Sequence, residues 1–305
     1  MLSDKPALTK FYAIKYWPIW FGLSCLRIII ILPWAWRMTM GRGIGRLLYQ
    51  LSARRRFITE TNIALCFSHL TASEQRYMVR QIFADNGIGI VETAMAWWSA
   101  RDTLSHRVSI EGGKLIKQAQ AQGRGVILVG AHYTSLDLGG ILLAPSFPYY
   151  ATYQRHSNAL MDSIIRRGRL NHLPGMVERE DIRQVMRLLK QGEIVWLAPD
   201  QDVGPERSVF APFFGIQAAT TPIVSRLAAA TGAKVLLFSH HRTHQNQRYS
   251  LTISDSLSSI PSGDLAADAA KLNAAIEAKV RLKPSQYLWL HRRFKTRPSN
   301  SREIY

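Results

Sequence analysis

The sequence predicts a mixed α/β fold: a central sheet covered by helices, preceded by a helical N-terminal region and an N-terminal membrane-anchoring helix. Three observations carry this. From residue 107 onward, short β-rich apolar runs alternate with helical stretches. The residues before 100 show helical spacing alone, and one long apolar run stands near the N-terminus. With 305 residues and 47% apolar content, the chain can bury a full core as one large domain beside that run.

The apolar run is Trp17 to Trp36, WPIWFGLSCLRIIIILPWAW, with a single charge at Arg27 and tryptophans at both ends. A helix needs ~20 apolar residues to cross ~30 Å of hydrocarbon, and tryptophan favours the two interfaces. Arg27, Pro18 and Pro33 leave a tilted or interfacial anchor as the alternative to a spanning one. No small-residue cleavage site follows, so the expectation is a retained anchor. Lys5, Lys10 and Lys15 precede the run; Arg37, Arg42, Arg46, Arg54, Arg55 and Arg56 follow it. The larger basic flank places the body on the cytoplasmic side of an inner membrane, against anionic lipids. The chain thus divides into an anchor, 1–38, and a single domain, 39–305, helical over 39–100 and α/β over 107–305.

Helical spacing is expected over 39–53, 56–66 and 73–98, the last opened by Ser73. Strands are expected at 107–111, 125–130, 149–153, 174–178, 193–197, 234–239 and 248–253. Helices fall at 112–122, 135–144, 158–171, 180–190, 219–231 and 264–282.

The balance of 39 Lys+Arg against 21 Asp+Glu gives a net charge of +18, which calls for an acidic partner: nucleic acid, anionic lipid or an acidic carrier protein. Zinc-finger spacing and an RNP-like aromatic signature are missing, and the basic residues collect beside the anchor, so nucleic acid is not expected. Cys25 and Cys66 support neither a disulfide framework nor a zinc site. His240, His241 and His244 lack acidic or cysteine neighbours, so no metal is expected.

Chemistry concentrates in Gly125 to Gly140, GVILVGAHYTSLDLGG, where a buried-strand run stops at Gly130 and His132 precedes Asp137 by five positions. Residues i and i+5 sit about 140° apart on a helix, so His132 belongs to the loop. Asp137 then falls in the first turn of the next helix, capped by Thr134 or Ser135. Its carboxylate could orient the imidazole as a base toward a hydroxyl, the substrate's own hydroxyl replacing a serine nucleophile. A G-x-S-x-G elbow, an H-E-x-x-H motif and a Walker loop are all missing.

The pattern H-x4-[DE] after a short apolar strand resembles the glycerolipid acyltransferase superfamily. Further stretches are similar to its lipid A biosynthesis lauroyl/myristoyl acyltransferase branch. They are Met95-Ala96-Trp97-Trp98, Gly192-Glu193-Ile194-Val195-Trp196, the run from Ala198 to Pro205, Ser208-Val209-Phe210, and the ending from Gln286 to Pro298. The resemblance spans the chain from the anchor onward. It implies a glycerol-phosphate acyltransferase-like fold and transfer of a fatty acyl chain from acyl-acyl carrier protein. The implied acceptor is a hydroxyl of a 3-hydroxyacyl chain on a Kdo-bearing lipid A precursor. No metal or other cofactor is implied; His132 would be the general base and Asp137 its orienting partner.

Two departures stand out: the branch usually has glutamate in place of Asp137, and Arg155 falls one position later than the family's arginine. The candidate substrate-binding residues are Arg155, Asn158, Arg169, Asp200 and Asp202. Arg155 and Arg169, with Arg166 and Arg167, suit acidic groups. The two aspartates suit arginine pairing or scaffolding, with a capped turn or a cation as alternatives. Phe210, Phe213, Phe214 and Ile216 could line an acyl pocket, lean on a membrane or pack in the core. The competing functions are lysophospholipid or glycerol-phosphate acylation, and a non-enzymatic membrane-anchored binder of anionic lipid or nucleic acid.

Overall fold

The computed structural model describes residues 5–100, 103–243, 248–299 and 301–305. The strands, in chain order, are β1 (Val108–Glu111), β2 (Val126–Val129), β3 (Tyr150–Tyr153), β4 (Gly175–Glu178), β5 (Ile194–Leu197), β6 (Val209–Phe213), β7 (Ile216–Thr220), β8 (Lys234–Arg242) and β9 (Tyr249–Ser254). A seven-stranded sheet runs in the order β1-β9-β8-β2-β5-β3-β4. Within this sheet, among the described residues, only β8 and β9 pair antiparallel; the other neighbours are parallel. Every strand expected from the sequence is present, β8 running on to Arg242.

Alternation along β2 divides the core. Ile127 and Val129 face a layer shared with Val195, Leu197, Val235 and Leu237, while Val126 and Leu128 face Ile194, Leu236 and Phe238 on the other side. The second face is covered by α1 (Trp17–Ile29), α4 (Ala72–Trp98), α5 (Lys114–Ala121), α6 (Leu136–Leu143) and α7 (Ala159–Leu170). The first is covered by α3 (Ala53–Cys66), α8 (Ile182–Lys190), α9 (Ile223–Thr231) and α10 (Leu265–Leu282). Between α1 and α3 lies α2 (Trp34–Leu51). The fully buried Arg242 ties α4 to β8, bonding Glu92 at 2.5 Å and Asp85 at 2.7 Å.

The expected anchor helix is not one helix. α1 stops at Ile29 and α2 starts after Pro33, since proline lacks the N–H that would continue the ladder. Arg37 Nε closes the break on the Leu32 carbonyl at 2.6 Å. The 13 residues of α1 rise only ~20 Å at 1.5 Å each. Among the described residues no helix is long and apolar enough to cross a membrane. α2 instead packs on α4 with backbones touching: a Cβ at Gly45 would sit 2.1 Å from the Phe83 carbonyl, and one at Gly87 2.2 Å from that of Gly41.

Two local expectations also shift. Thr71, not Ser73, caps α4, in a capping box with Glu74. The antiparallel hairpin β6–β7 was not expected; its two-residue turn, Phe214-Gly215, has positive φ at both positions (51° and 77°), the geometry that matches strand twist. A phenylalanine tolerates it because tertiary contacts hold it: its ring packs on Phe67 and Trp289, and its N–H donates to Glu277 at 2.6 Å.

Candidate active site

The parallel register pairs Val129 with Leu197. The chain runs three residues past each to His132 and Asp200, which therefore meet just outside the carboxyl edge of neighbouring strands, where open α/β sheets bind ligands. His132 Nδ1 lies 2.7 Å from Asp200 Oδ1, and the His132 backbone N–H donates to Oδ2 at 2.9 Å. The Tyr287 hydroxyl donates to the same Oδ2 at 2.9 Å. An ionised carboxylate only accepts, so Nδ1 carries the proton and Nε2 is the free base.

Side-chain exposure is 28% for His132 and 2% for Asp200: the base is reachable and its partner is sealed. Burial alone would raise the Asp200 pKa, but the charge and hydrogen bonds of His132, with that of Tyr287, outweigh it and hold the carboxyl down at about 2. The tail braces the loop from outside. Leu288 N–H donates to the His132 carbonyl at 2.9 Å, and Thr134 N–H to that of Gln286 at 2.8 Å.

Asp137 does not occupy the place the spacing suggested. Among the described residues no hydrogen bond joins it to His132. It accepts from Trp97 Nε1 at 2.8 Å and from Arg169 Nε and an Arg169 terminal nitrogen at 3.0 and 2.6 Å. Burial acts to lower the Arg169 pKa, and the adjacent Asp137 overrides it, so the guanidinium is held above its ordinary value. The cap expectation also shifts: Ser135 stands at the N-cap of α6 without a side-chain cap bond, its Oγ lying 3.1 Å from Nδ1 of buried His240. Burial, then His241 and Arg242, push the His240 pKa down to about 3.

The other candidates separate. Arg155 is exposed and pairs with Glu178 at 2.6 Å. Asn158 caps α7, accepting from the N–H groups of Leu160 and Met161. Asp202 holds the tail, accepting from Thr296 N–H at 2.7 Å and its hydroxyl at 2.8 Å, and closes its own turn on Gly204. Neither aspartate of this loop pairs with an arginine among the described residues. Phe213 and Phe214 are buried core. His244 lies outside the described residues, and among those described no cluster could hold a metal. Sequence reasoning missed Tyr287 and Trp97 as partners of the two carboxylates, although both lie in stretches that carried the family resemblance.

A partly exposed histidine oriented by a buried carboxylate is placed as a general base can be. The comparisons define the class of protein. Residues 5–296 match the family described as Bacterial lipid A biosynthesis acyltransferase. The chain is 38% identical over 292 residues to the lipid A biosynthesis palmitoleoyltransferase of Escherichia coli K12, covering 95% of each chain. It is 37% identical over 285 residues to the lipid A biosynthesis lauroyltransferase of the same organism, covering 93% of each. A lipid A biosynthesis acyltransferase of Haemophilus influenzae is 32% identical over 292 residues, covering 94% of this chain and 93% of the relative. The chain belongs to the bacterial lipid A biosynthesis acyltransferase family and is an acyltransferase of lipopolysaccharide biosynthesis.

Proposed function

We propose that the protein transfers a fatty acyl chain from acyl-acyl carrier protein to a hydroxyl of a 3-hydroxyacyl chain on a Kdo-bearing lipid A precursor. The observation that carries the reading is the pairing of half-open His132 with sealed Asp200 in a chain of this family. His132 Nε2 takes the proton of the acceptor hydroxyl, and Asp200 stabilises the imidazolium. The alkoxide attacks the thioester carbonyl. Backbone amides or positive groups stabilise the oxyanion, each worth ~3–4 kcal/mol in acyl transfer; collapse expels the carrier thiolate, which takes the proton from the His132 imidazolium and restores the base. The step uses no metal or bound cofactor. In this reading Asp137 acts through Arg169 and Trp97, as the brace that aims the start of α6.

The protein works at the cytoplasmic face of the inner membrane, anchored in its plane. Trp17, Phe21, Ile28, Ile31, Trp36, Leu47 and Leu51 are exposed apolar residues of the N-terminal segment, interleaved with exposed Arg27, Arg46, Arg54 and Arg55. That combination suits an interfacial anchor on anionic lipid.

The test is acyl transfer by detergent-solubilised protein, offering Kdo-bearing lipid A precursor against lysophospholipid with a set of acyl carrier proteins. One chain added to the lipid A precursor alone, with His132→Ala slowed at least ~100-fold, is the expected result. Preference for lysophospholipid, or full activity of the variant, refutes the reading.

A further inference from the structure

An apolar cavity of about 170 Å³ lies between the C-terminal ends of α4 and α6 and the chain entering β1. Met95, Ala96, Leu104, Ile141 and Leu142 form its buried floor and walls, with Ser99 and Ser146 toward the rim. For scale, an apolar cavity of ~150 Å³ in another protein stays dry and takes up benzene. Native interiors are close-packed, so an apolar space of this size has room for a short hydrocarbon segment.

Its position relative to the reactive edge is set by α6. That helix starts four residues after His132, carries Asp137 in its first turn and presents Ile141 one turn later on the same face. Ile141 lines two spaces at once: the cavity, and a cleft of about 20 Å³ bounded by Leu136, Asp137, Arg169 and Trp196. The cleft holds roughly one water, and Ile141, which borders both spaces, stands between the Asp137–Arg169 pair and the cavity. Beyond Leu138 the helix is closely packed: a Cβ on Gly139 would lie 2.5 Å from His240 and one on Gly140 2.3 Å from the Tyr149 hydroxyl.

Resting on the acyl transfer proposed above, we infer that this cavity receives the methyl end of the donor's acyl chain, and that Ile141 and Ala96 set how long a chain is accepted. The chain would pass along the Asp137–Ile141 face of α6 as the Ile141 side chain swings aside. Among the described residues no Lys, Arg, Asp or Glu lines the cavity, as a bare hydrocarbon end requires, and the donor-length series below tells a donor chain from an acceptor chain.

The experiment compares kcat/KM for octanoyl to hexadecanoyl carrier proteins in wild type, Ala96→Leu and Ile141→Ala, with thermal denaturation of each. Filling the cavity by Ala96→Leu should lower the ratio of long-chain to short-chain kcat/KM by ~10-fold or more, and Ile141→Ala should raise it, since one methylene in such a pocket discriminates ~10–200-fold. Should Ala96→Leu fail to fold, Ser146→Phe at the rim serves as the filling variant. Folded variants with the wild-type length profile overturn the inference. So does an unchanged donor profile with a raised KM for the lipid acceptor, which would put an acceptor chain in the cavity. A wild type that acylates no acceptor from any donor would instead remove the function on which the inference rests.

Discussion

Asp200 and Asp137 are both buried carboxylates at the same edge of the sheet, yet they face opposite kinds of partner. Asp200 meets a titratable, partly exposed imidazole; Asp137 meets a guanidinium that stays protonated, and an indole N–H. The first pair can take up and release a proton, whereas the second can only hold its geometry. What a carboxylate does here is decided by the group across from it, and not by its distance in sequence from the histidine.

Substitution at both positions gives the sharpest attempt to break that contrast. On the proposed mechanism, Asp200→Ala should cut kcat by ~100- to 10,000-fold, because the base loses its orienting partner, while the substrate's KM moves little. Asp137→Ala strands the Arg169 charge and should remove ~3–5 kcal/mol of stability, read by urea denaturation. Restoring much of the Asp137→Ala activity with a second change, Arg169→Met, would support the brace; recovery of Asp200→Ala in the same way would collapse the distinction.

A second buried group behind the brace responds to pH. The folded His240 pKa of about 3 lies below the ordinary value of 6.5, so the unfolded chain binds the extra proton in between. Stability from this group is complete above pH ~6.5 and falls by ~1.4 kcal/mol per pH unit as pH drops toward 3. His240→Gln should flatten the wild-type loss of unfolding free energy between pH 7 and 5; an unchanged slope would show that the imidazole is not buried in its neutral form.

Smaller effects sharpen the Asp200 side. Tyr287→Phe removes one charge-assisted hydrogen bond, worth ~1.5–3 kcal/mol, so kcat should fall ~10-fold and the acid limb of the pH–rate profile should move. Smallest of all, Arg155→Ala should leave rate and melting temperature at wild-type values, because its pair with Glu178 is solvent-exposed. A large rise in acceptor KM in that variant would return Arg155 to the substrate.

The difference between what was legible and what was not follows sequence separation. The helix–strand alternation, the exit of His132 from β2 and the family of the chain were readable, since each rests on residues within a few positions or on motifs of local composition. The pairing of Asp200 with His132 rests on β2 lying beside β5 in register, a contact between segments 68 residues apart. No spacing rule reaches that far. The Trp97 and Tyr287 bonds are of the same kind. The long apolar run is divided into two helices for a local reason: Pro33 ends a helix whatever the hydropathy around it.

By itself, then, the sequence determined the alternating elements, the position of the histidine in a loop after a buried strand, and the membership of the chain in its family. Only the tertiary structure decided which carboxylate serves that histidine, because strand order and register are chosen by burial of both faces of the sheet, a property of the whole core that no short window of residues contains.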